Sequence, residues 1–219
     1  MKLFSSVFSL ALAACFVLLT GQQPVAAQTE GDPMERLRAK YESIDALRAE
    51  FTQTMTSEYS DTEETFEGTV ILDGDRYRVE AGQNTFVTDG EVTWIYDTAK
   101  NQVLINDYVE DETAFSLNDF FFESNRDFEL TSTETETETI DGEAHLVLHL
   151  TPKRDDAFFS DVTIWMREQD DLATRLEVLD VNGTKMAFRL DNIELNPPVD
   201  DEMFTFTPPE GTEVVDLRS

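Results

Sequence analysis

Apolar and polar residues alternate along most of this chain, and the alternation predicts strands. It starts at Leu47: Leu47, Ala49, Phe51, Gln53 and Met55 interleave with Arg48, Glu50, Thr52 and Thr54. Successive strand side chains point to opposite faces, so each set shares one face. Phe66, Gly68, Val70 and Leu72 repeat the pattern, followed by Tyr77 and Val79 against Arg76, Arg78 and Glu80. In the stretch 86–105, Val92, Trp94 and Tyr96 share a face, with Thr93 and Ile95 on the other. A face with two large aromatics needs an apolar partner, either packed core or a ligand. Further faces are Leu146, Leu148 and Leu150, ended by Pro152; then Val162, Ile164 and Met166; then Leu176 and Val178; then Met186, Phe188 and Leu190. Pro197-Pro198 breaks the pairing, and Phe204 and Phe206 alternate before Pro208-Pro209.

Turn residues punctuate these runs. Asp73-Gly74, Asp89-Gly90, Asp141-Gly142 and Asn182-Gly183 each lie between two alternating stretches. Such dipeptides favour tight hairpins, and Asp89-Gly90 reads as a type I′ turn. The result is an up-and-down antiparallel sheet of about ten strands, enough to curl into a barrel or half-barrel.

Helical spacing is scarce. Asp32-Pro33 supplies an N-cap and a first-turn proline, and Met34, Leu37, Tyr41 and Ile44 follow at three- and four-residue intervals. The helical phase also fits as far as Met55, but the threonines and alternating polar residues favour strand from Leu47. Phe115–Phe122 reads as one or two helical turns capped by Ser116, with a strand as the alternative. Residues 128–140 end in a Thr/Glu alternation. This reads as a strand solvated on both faces, its glutamates blocking edge pairing; an acidic calcium-attracting run is the other reading.

The N-terminus carries a different signal. Lys2 precedes an apolar run, Leu3–Leu19, and Val25-Ala26-Ala27 is a small-residue cleavage site. Residues 1–27 are therefore expected to be a signal peptide cleaved after Ala27, followed by one domain over 28–219 in the periplasm. Leu12-Ala13-Ala14-Cys15 offers an alternative as a lipobox, although apolar residues continue past the cysteine. Cys15 is the only cysteine, so cleavage after Ala27 leaves neither disulfide nor thiol chemistry.

Charge narrows the partners. There are 46 Asp+Glu against 16 Lys+Arg, a formal net charge of −30. Nucleic acid and anionic membrane surfaces are repelled. The acids are spread along the chain, as on a salt-adapted surface, and no calcium-loop motif is present.

Catalytic signatures are missing: there is no nucleophile elbow, zinc-protease helix or phosphate loop. His145 and His149 sit roughly 13 Å apart on one strand, too far to share a metal, and read as ordinary exposed histidines. No catalytic residue, metal or cofactor is expected. What remains is apolar surface, with 16 Phe, 5 Tyr and 2 Trp. A half-barrel with so little helix is expected to leave part of its interior open to a ligand.

Several stretches together resemble the LolA-type outer-membrane lipoprotein carriers. They are LRAEFTQ (47–53), FEGTVILDGDRYRVE (66–80), TDGEVTWIYDTAKNQVLI (88–105), LVLHLTPK (146–153), NGTKMAFRLDNIELN (182–196) and MFTFTPPEGTEVVD (203–216). The resemblance implies a mainly β fold, an incomplete antiparallel β-barrel with a short helical lid over the concave face. It implies triacylated lipoproteins as cargo, an inner-membrane ABC-type release complex as donor and an outer-membrane lipoprotein acceptor as recipient, with the carrier a monomer. It matches the family's mouth aromatic to Tyr77, the next inward position to Val79 and the hairpin aromatics to Trp94 and Tyr96. With the apolar faces above, the expected cavity comprises Phe51, Val70, Leu72, Tyr77, Val79, Val92, Trp94, Tyr96, Phe115, Leu117, Phe120, Ile164, Met166 and Phe188. In the first turn the chain has Asp73-Gly74-Asp75 where some members have an Arg-Pro whose arginine latches the lid. The related membrane-anchored acceptor, which would use Cys15, and a periplasmic binding or sensor module for another hydrophobic ligand remain as alternatives.

The charge makes a testable prediction. Salt screens self-repulsion over about 10 Å at 0.1 M, so the melting temperature is expected to rise from dilute buffer to molar sodium chloride. A melting temperature independent of salt would contradict the salt-adapted reading.

Overall fold

The computed structural model describes residues 31–57, 60–108, 128–131, 136–154 and 157–218, which belong to one compact unit. The signal segment, Cys15 and the apolar stretch containing Phe115, Leu117 and Phe120 lie outside the described residues.

Helix α1 spans Pro33–Glu42 and starts as the sequence dictates. The Asp32 carboxylate accepts the Met34 amide at 2.9 Å, and Pro33 occupies the first turn. Met34, Leu37 and Tyr41 form its buried stripe, and the helix stops at Ser43. Strand β1 (Ala46–Ser57) follows, so the alternating phase prevails over the helical one from Ala46 on.

The remaining strands are β2 (Ser60–Asp73), β3 (Arg76–Ala81), β4 (Asn84–Thr88), β5 (Val92–Asp97), β6 (Gln102–Asp107), β7 (Phe128–Leu130), β8 (Glu136–Ile140), β9 (Glu143–Pro152), β10 (Phe159–Arg167), β11 (Leu172–Asp180), β12 (Thr184–Leu195) and β13 (Glu213–Asp216). They make one sheet in the order β13-β6-β5-β4-β3-β2-β1-β12-β11-β10-β9-β7, with β8 also paired to β9. Among the described residues all pairs are antiparallel except β13 with β6, which is parallel. Among the same residues the two edges do not pair with each other, so the sheet is an open barrel. Glu136 and Glu138 lie exposed on the β8 edge, consistent with strand-blocking glutamates.

The core lies on one face of this sheet, here the inner face. Leu47, Ala49 and Phe51 of β1 meet Val70 and Leu72 of β2, then Phe188 and Leu190 of β12, Leu176 and Val178 of β11, Val162, Ile164 and Met166 of β10, and Leu148 and Leu150 of β9. Helix α1 adds Met34, Leu37 and Tyr41 to the same cluster. Arg36 pairs with Asp171 in the β10–β11 turn and fastens the helix there. Burial of Tyr41 pushes its phenol pKa up.

The turns differ from expectation in type. The left-handed pair of a type I′ turn occurs at Asp141 (φ 53) and Gly142 (φ 88), between the paired residues Ile140 and Glu143. At Asp89-Gly90 only the glycine has positive φ, and Thr88 pairs with Thr93. There the Asp89 carboxylate closes the loop, accepting the amides of Glu91 and Val92 at 2.9 and 2.8 Å. A further two-residue turn, Gly82-Gln83, joins β3 to β4.

One glycine is fixed by packing. A Cβ on Gly68 would lie 2.0 Å from the Glu80 carbonyl oxygen and 2.9 Å from the Phe51 ring. The Gly68→Ala variant must push β2 away from β3, and we expect it to lower stability by about 1–3 kcal/mol, as for other overpacked interiors. Urea denaturation checks this; an unchanged midpoint would show that the strands yield freely.

Candidate functional site

The register decides which side chains can share a wall. Across β1 to β6, one lateral row on the inner face reads Ala49, Val70, Val79, Phe86, Ile95 and Leu104, each paired with its neighbour. Four strand spacings separate Val70 from Leu104, roughly 19 Å at about 4.8 Å each. Polar rows flank it. On one side Tyr77 leads to Thr88, Thr93 and Asn106; on the other Ala81 leads to Asn84, Asp97 and Gln102. The result is an apolar track running across the strands between polar margins.

Burial divides this track. Ala49 and Val70 are buried in the core, whereas Val79, Phe86, Ile95 and Leu104 are half-buried. Tyr77 and Val79 pack against the core from its margin. The inner face is thus filled under α1 and less tightly covered over β3–β6.

The fourteen expected cavity residues separate accordingly. Phe51, Val70, Leu72, Ile164, Met166 and Phe188 come together on the inner face as core. Tyr77 and Val79 join them at the half-buried margin. Phe115, Leu117 and Phe120 lie outside the described residues. Val92, Trp94 and Tyr96 need correction, because the register puts them on the outer face. Trp94 pairs with Val87 and Ile105, while Ile95 pairs with Phe86 and Leu104 of the track.

The outer face of β3–β6 has its own partner. After β12 the chain runs as a strap across it, carrying a 3₁₀ turn (Asp201–Phe204), and then pairs as β13 at the sheet edge. Phe206 packs on Tyr96 with ring centroids 5.2 Å apart. Phe204 is fully buried, and the Arg76 guanidinium sits 4.6 Å above its ring. Arg76 also pairs with Asp201 at 2.6 Å and with Asp73; these hydrogen bonds push its pKa up. Arg78 donates to the Met203 carbonyl at 3.4 Å. Downstream, the Asn101 side-chain amide donates to the Gly211 carbonyl at 2.9 Å. The Trp94–Tyr96 face is therefore satisfied by the protein's own C-terminal segment. The first-turn residue Asp73 holds Arg76 beneath the strap.

Phe86, Ile95 and Leu104 are the inner-face residues that the sequence pattern did not single out. The signal for them was the Gly82-Gln83 turn. A two-residue connection pairs Val79 with Phe86, and alternation then carries the row to Ile95.

His145 also departs from expectation. It is 1 % exposed, with Nδ1 3.0 Å from the Glu143 carbonyl and Nε2 2.8 Å from the Thr174 hydroxyl. His149 is exposed.

A family model described as outer membrane lipoprotein carrier protein LolA matches residues 42–207. An outer-membrane lipoprotein carrier protein of Halorhodospira halophila is 28% identical over 188 residues, covering 83% of this chain and 84% of that one. Its counterpart in Chromohalobacter salexigens is 27% identical over 212 residues, covering 95% and 96%. Among solved structures, an uncharacterized conserved protein from Thermus thermophilus superposes with a TM-score of 0.53 at 16% identity, over 84% of this chain and 96% of that one; the likeness is one of fold. With the family match running from the end of α1 to the strap, the chain belongs to the LolA family of outer-membrane lipoprotein carrier proteins.

Proposed function

We propose that this protein is a periplasmic carrier that shelters lipoprotein acyl chains on its inner face. The observation that carries the reading is the apolar track Val79–Phe86–Ile95–Leu104, half-buried and bordered by polar rows, in a chain of the carrier family. The track is continuous and one residue wide, which suits an extended hydrocarbon chain. Each buried methylene contributes about 0.8 kcal/mol. Full burial of several chains would therefore hold cargo too tightly to release, and a shallow, half-covered track keeps transfer reversible.

On this reading the activity is binding and release, with no covalent step, cofactor or metal. The donor is an inner-membrane ABC-type release complex and the recipient an outer-membrane acceptor, both supplied by the resemblance of the chain to its family. The carrier acts as a monomer exported by residues 1–27. Phe115, Leu117 and Phe120 are proposed to complete the hydrophobic lining. The residues proposed to touch cargo are Tyr77, Val79, Phe86, Ile95 and Leu104, with the buried Phe51 and Phe188 forming the adjoining floor.

Incubation with membrane vesicles that retain lipoproteins at the inner membrane tests the activity. The expected result is release of lipoprotein as a soluble 1:1 complex with the carrier; absence of any soluble complex overturns the reading. Two sets of variants test the face. Tyr77→Glu and Ile95→Asp are expected to lose cargo capture while retaining the circular dichroism of the folded sheet. Trp94→Ala, on the outer face that the strap crosses, is expected to lower the melting temperature and to leave capture intact. Capture that survives Ile95→Asp but fails with Trp94→Ala would place the cargo on the other side of the sheet.

A further inference from the structure

The strap covers the outer face over β3–β6. Over β8–β12 that face has a cleft of about 370 Å³. This lies within the range of small-molecule sites, roughly 300–1,000 Å³, and far exceeds the space of one water, about 30 Å³. Its floor is the buried His145 held by Thr174. The imidazole Nδ1 faces the Glu143 carbonyl at 3.0 Å, and Nε2 meets the Thr174 hydroxyl at 2.8 Å.

The charges around this floor depart from those of the rest of the chain. Arg167, Arg175 and Arg189 line the cleft, alternating with Asp141, Glu143 and Asp191. Three cations face three anions, in a chain with 46 acids to 16 bases. The guanidiniums are not equally engaged. Arg167 is the most engaged: Nε and Nη2 donate to Asp170 at 2.9 and 2.7 Å, and Nη1 to Glu143 at 3.1 Å. Arg189 spends Nε and Nη2 on a single oxygen of Asp191, at 3.1 and 2.9 Å. Arg175 comes no closer than 3.6 Å to Asp141, whose side chain is 71% exposed. That separation is beyond hydrogen-bond reach. A guanidinium has five N–H donors, so Arg175 keeps donors to offer and Asp141 keeps acceptor oxygens.

We propose that this cleft binds a small zwitterion carrying an oxyanion and an ammonium group, of the phosphoethanolamine type. The oxyanion sits on the donors of Arg175 and Arg189, and the ammonium on the carboxylates of Asp141 and its neighbour Glu143. The global charge selects a zwitterion over a bare anion. A protein with a formal charge of −30 repels an anion over the whole approach. The ammonium of phosphoethanolamine offsets one of the roughly two negative charges its phosphomonoester carries at pH 7, so the zwitterion meets a lower barrier than the bare anion and complements both signs of the lining. Binding replaces the loose Arg175–Asp141 contact with a bridge through the ligand, while Arg167 and His145 stay in place as the fixed wall and floor. The chemistry is shared by a free phosphoamine and by the headgroup of a membrane lipid. The site is on the opposite face from the acyl track and stands independently of the carrier reading.

Isothermal titration of the purified protein with phosphoethanolamine, inorganic phosphate and ethanolamine tests the proposal. Saturable 1:1 binding is expected for phosphoethanolamine, with either half alone weaker by about tenfold or more, as loss of a charge-assisted bond implies. Arg175→Gln and Asp141→Asn should each weaken it by a similar factor without moving the melting temperature, since asparagine tolerates the positive φ at that turn position. Arg218→Gln, on β13's flank, should leave it unchanged. No binding of phosphoethanolamine, equal binding of inorganic phosphate, or binding indifferent to both cleft variants overturns the proposal. Cosedimentation then separates the sources. Association with phosphatidylethanolamine/phosphatidylcholine vesicles, which carry no net charge, absent with phosphatidylcholine alone and lost in Arg175→Gln, assigns the lipid headgroup. Titration with the soluble compound but no such association assigns the free molecule.

Discussion

Strands β4–β6 are apolar on both faces, and both faces must be covered. On the inner side Phe86, Ile95 and Leu104 continue the core row; on the outer side Val87, Trp94, Tyr96, Val103 and Ile105 would otherwise face water. A sheet with one solvated face shows simple alternation of apolar and polar residues. This half of the sheet cannot be of that kind. The strap answers the constraint from outside, bringing Phe206 onto Tyr96, burying Phe204 beneath the Arg76 guanidinium and then pairing as β13. With the outer side so occupied, the inner track is the side left half-covered over β3–β6.

The strap also explains why the parallel pair among the described strands lies at the sheet edge. A segment leaving β12 and crossing the outer face reaches β6 from the other side of the sheet, and a parallel pairing needs such a long connection. The clasp at Arg76 ties this crossing to the first hairpin, through Asp73, Asp201 and the ring of Phe204. Its outer partner, Asp201, is 91% exposed, so the ion pair contributes little by itself. The buried phenylalanine supplies the stabilisation, and the arginine orients it.

The two faces of the molecule are covered differently. The inner face is filled where α1 covers it and is half-buried over β3–β6, where an apolar row continues from the core. The outer face is belted over that same half and carries opposed charges over β8–β12. On the proposed readings the inner track meets acyl chains, and the outer cleft, lined by Arg167, Arg175, Arg189, Asp141, Glu143 and Asp191, meets a small group bearing both charges.

Much of the architecture was legible from residue pattern. Asp32-Pro33 set the start of α1, the alternation from Leu47 set β1, and the Asp-Gly and Asn-Gly pairs placed the hairpins, because caps, turns and period-two burial are local consequences of side-chain chemistry. The inner placement of Tyr77 and Val79 came from the family resemblance, since their alternation shows only that they share a face. The side of the sheet to which Trp94 and Tyr96 belong was not read from their own run. Alternation shows that two residues share a face but not which face it is, and the parity is carried from Val79 to Ile95 only through the pairing across Gly82-Gln83. The burial of His145 depends on a β11 threonine that is distant in sequence. The sequence by itself determined most of the strands, helix α1, the acidity and the family, whereas the 3₁₀ turn at Phe204 and strand β13 emerged only in the structure. Tertiary structure alone decided which apolar face meets the strap and which stays half-covered on the inside, because that choice rests on register and on a C-terminal segment far along the chain.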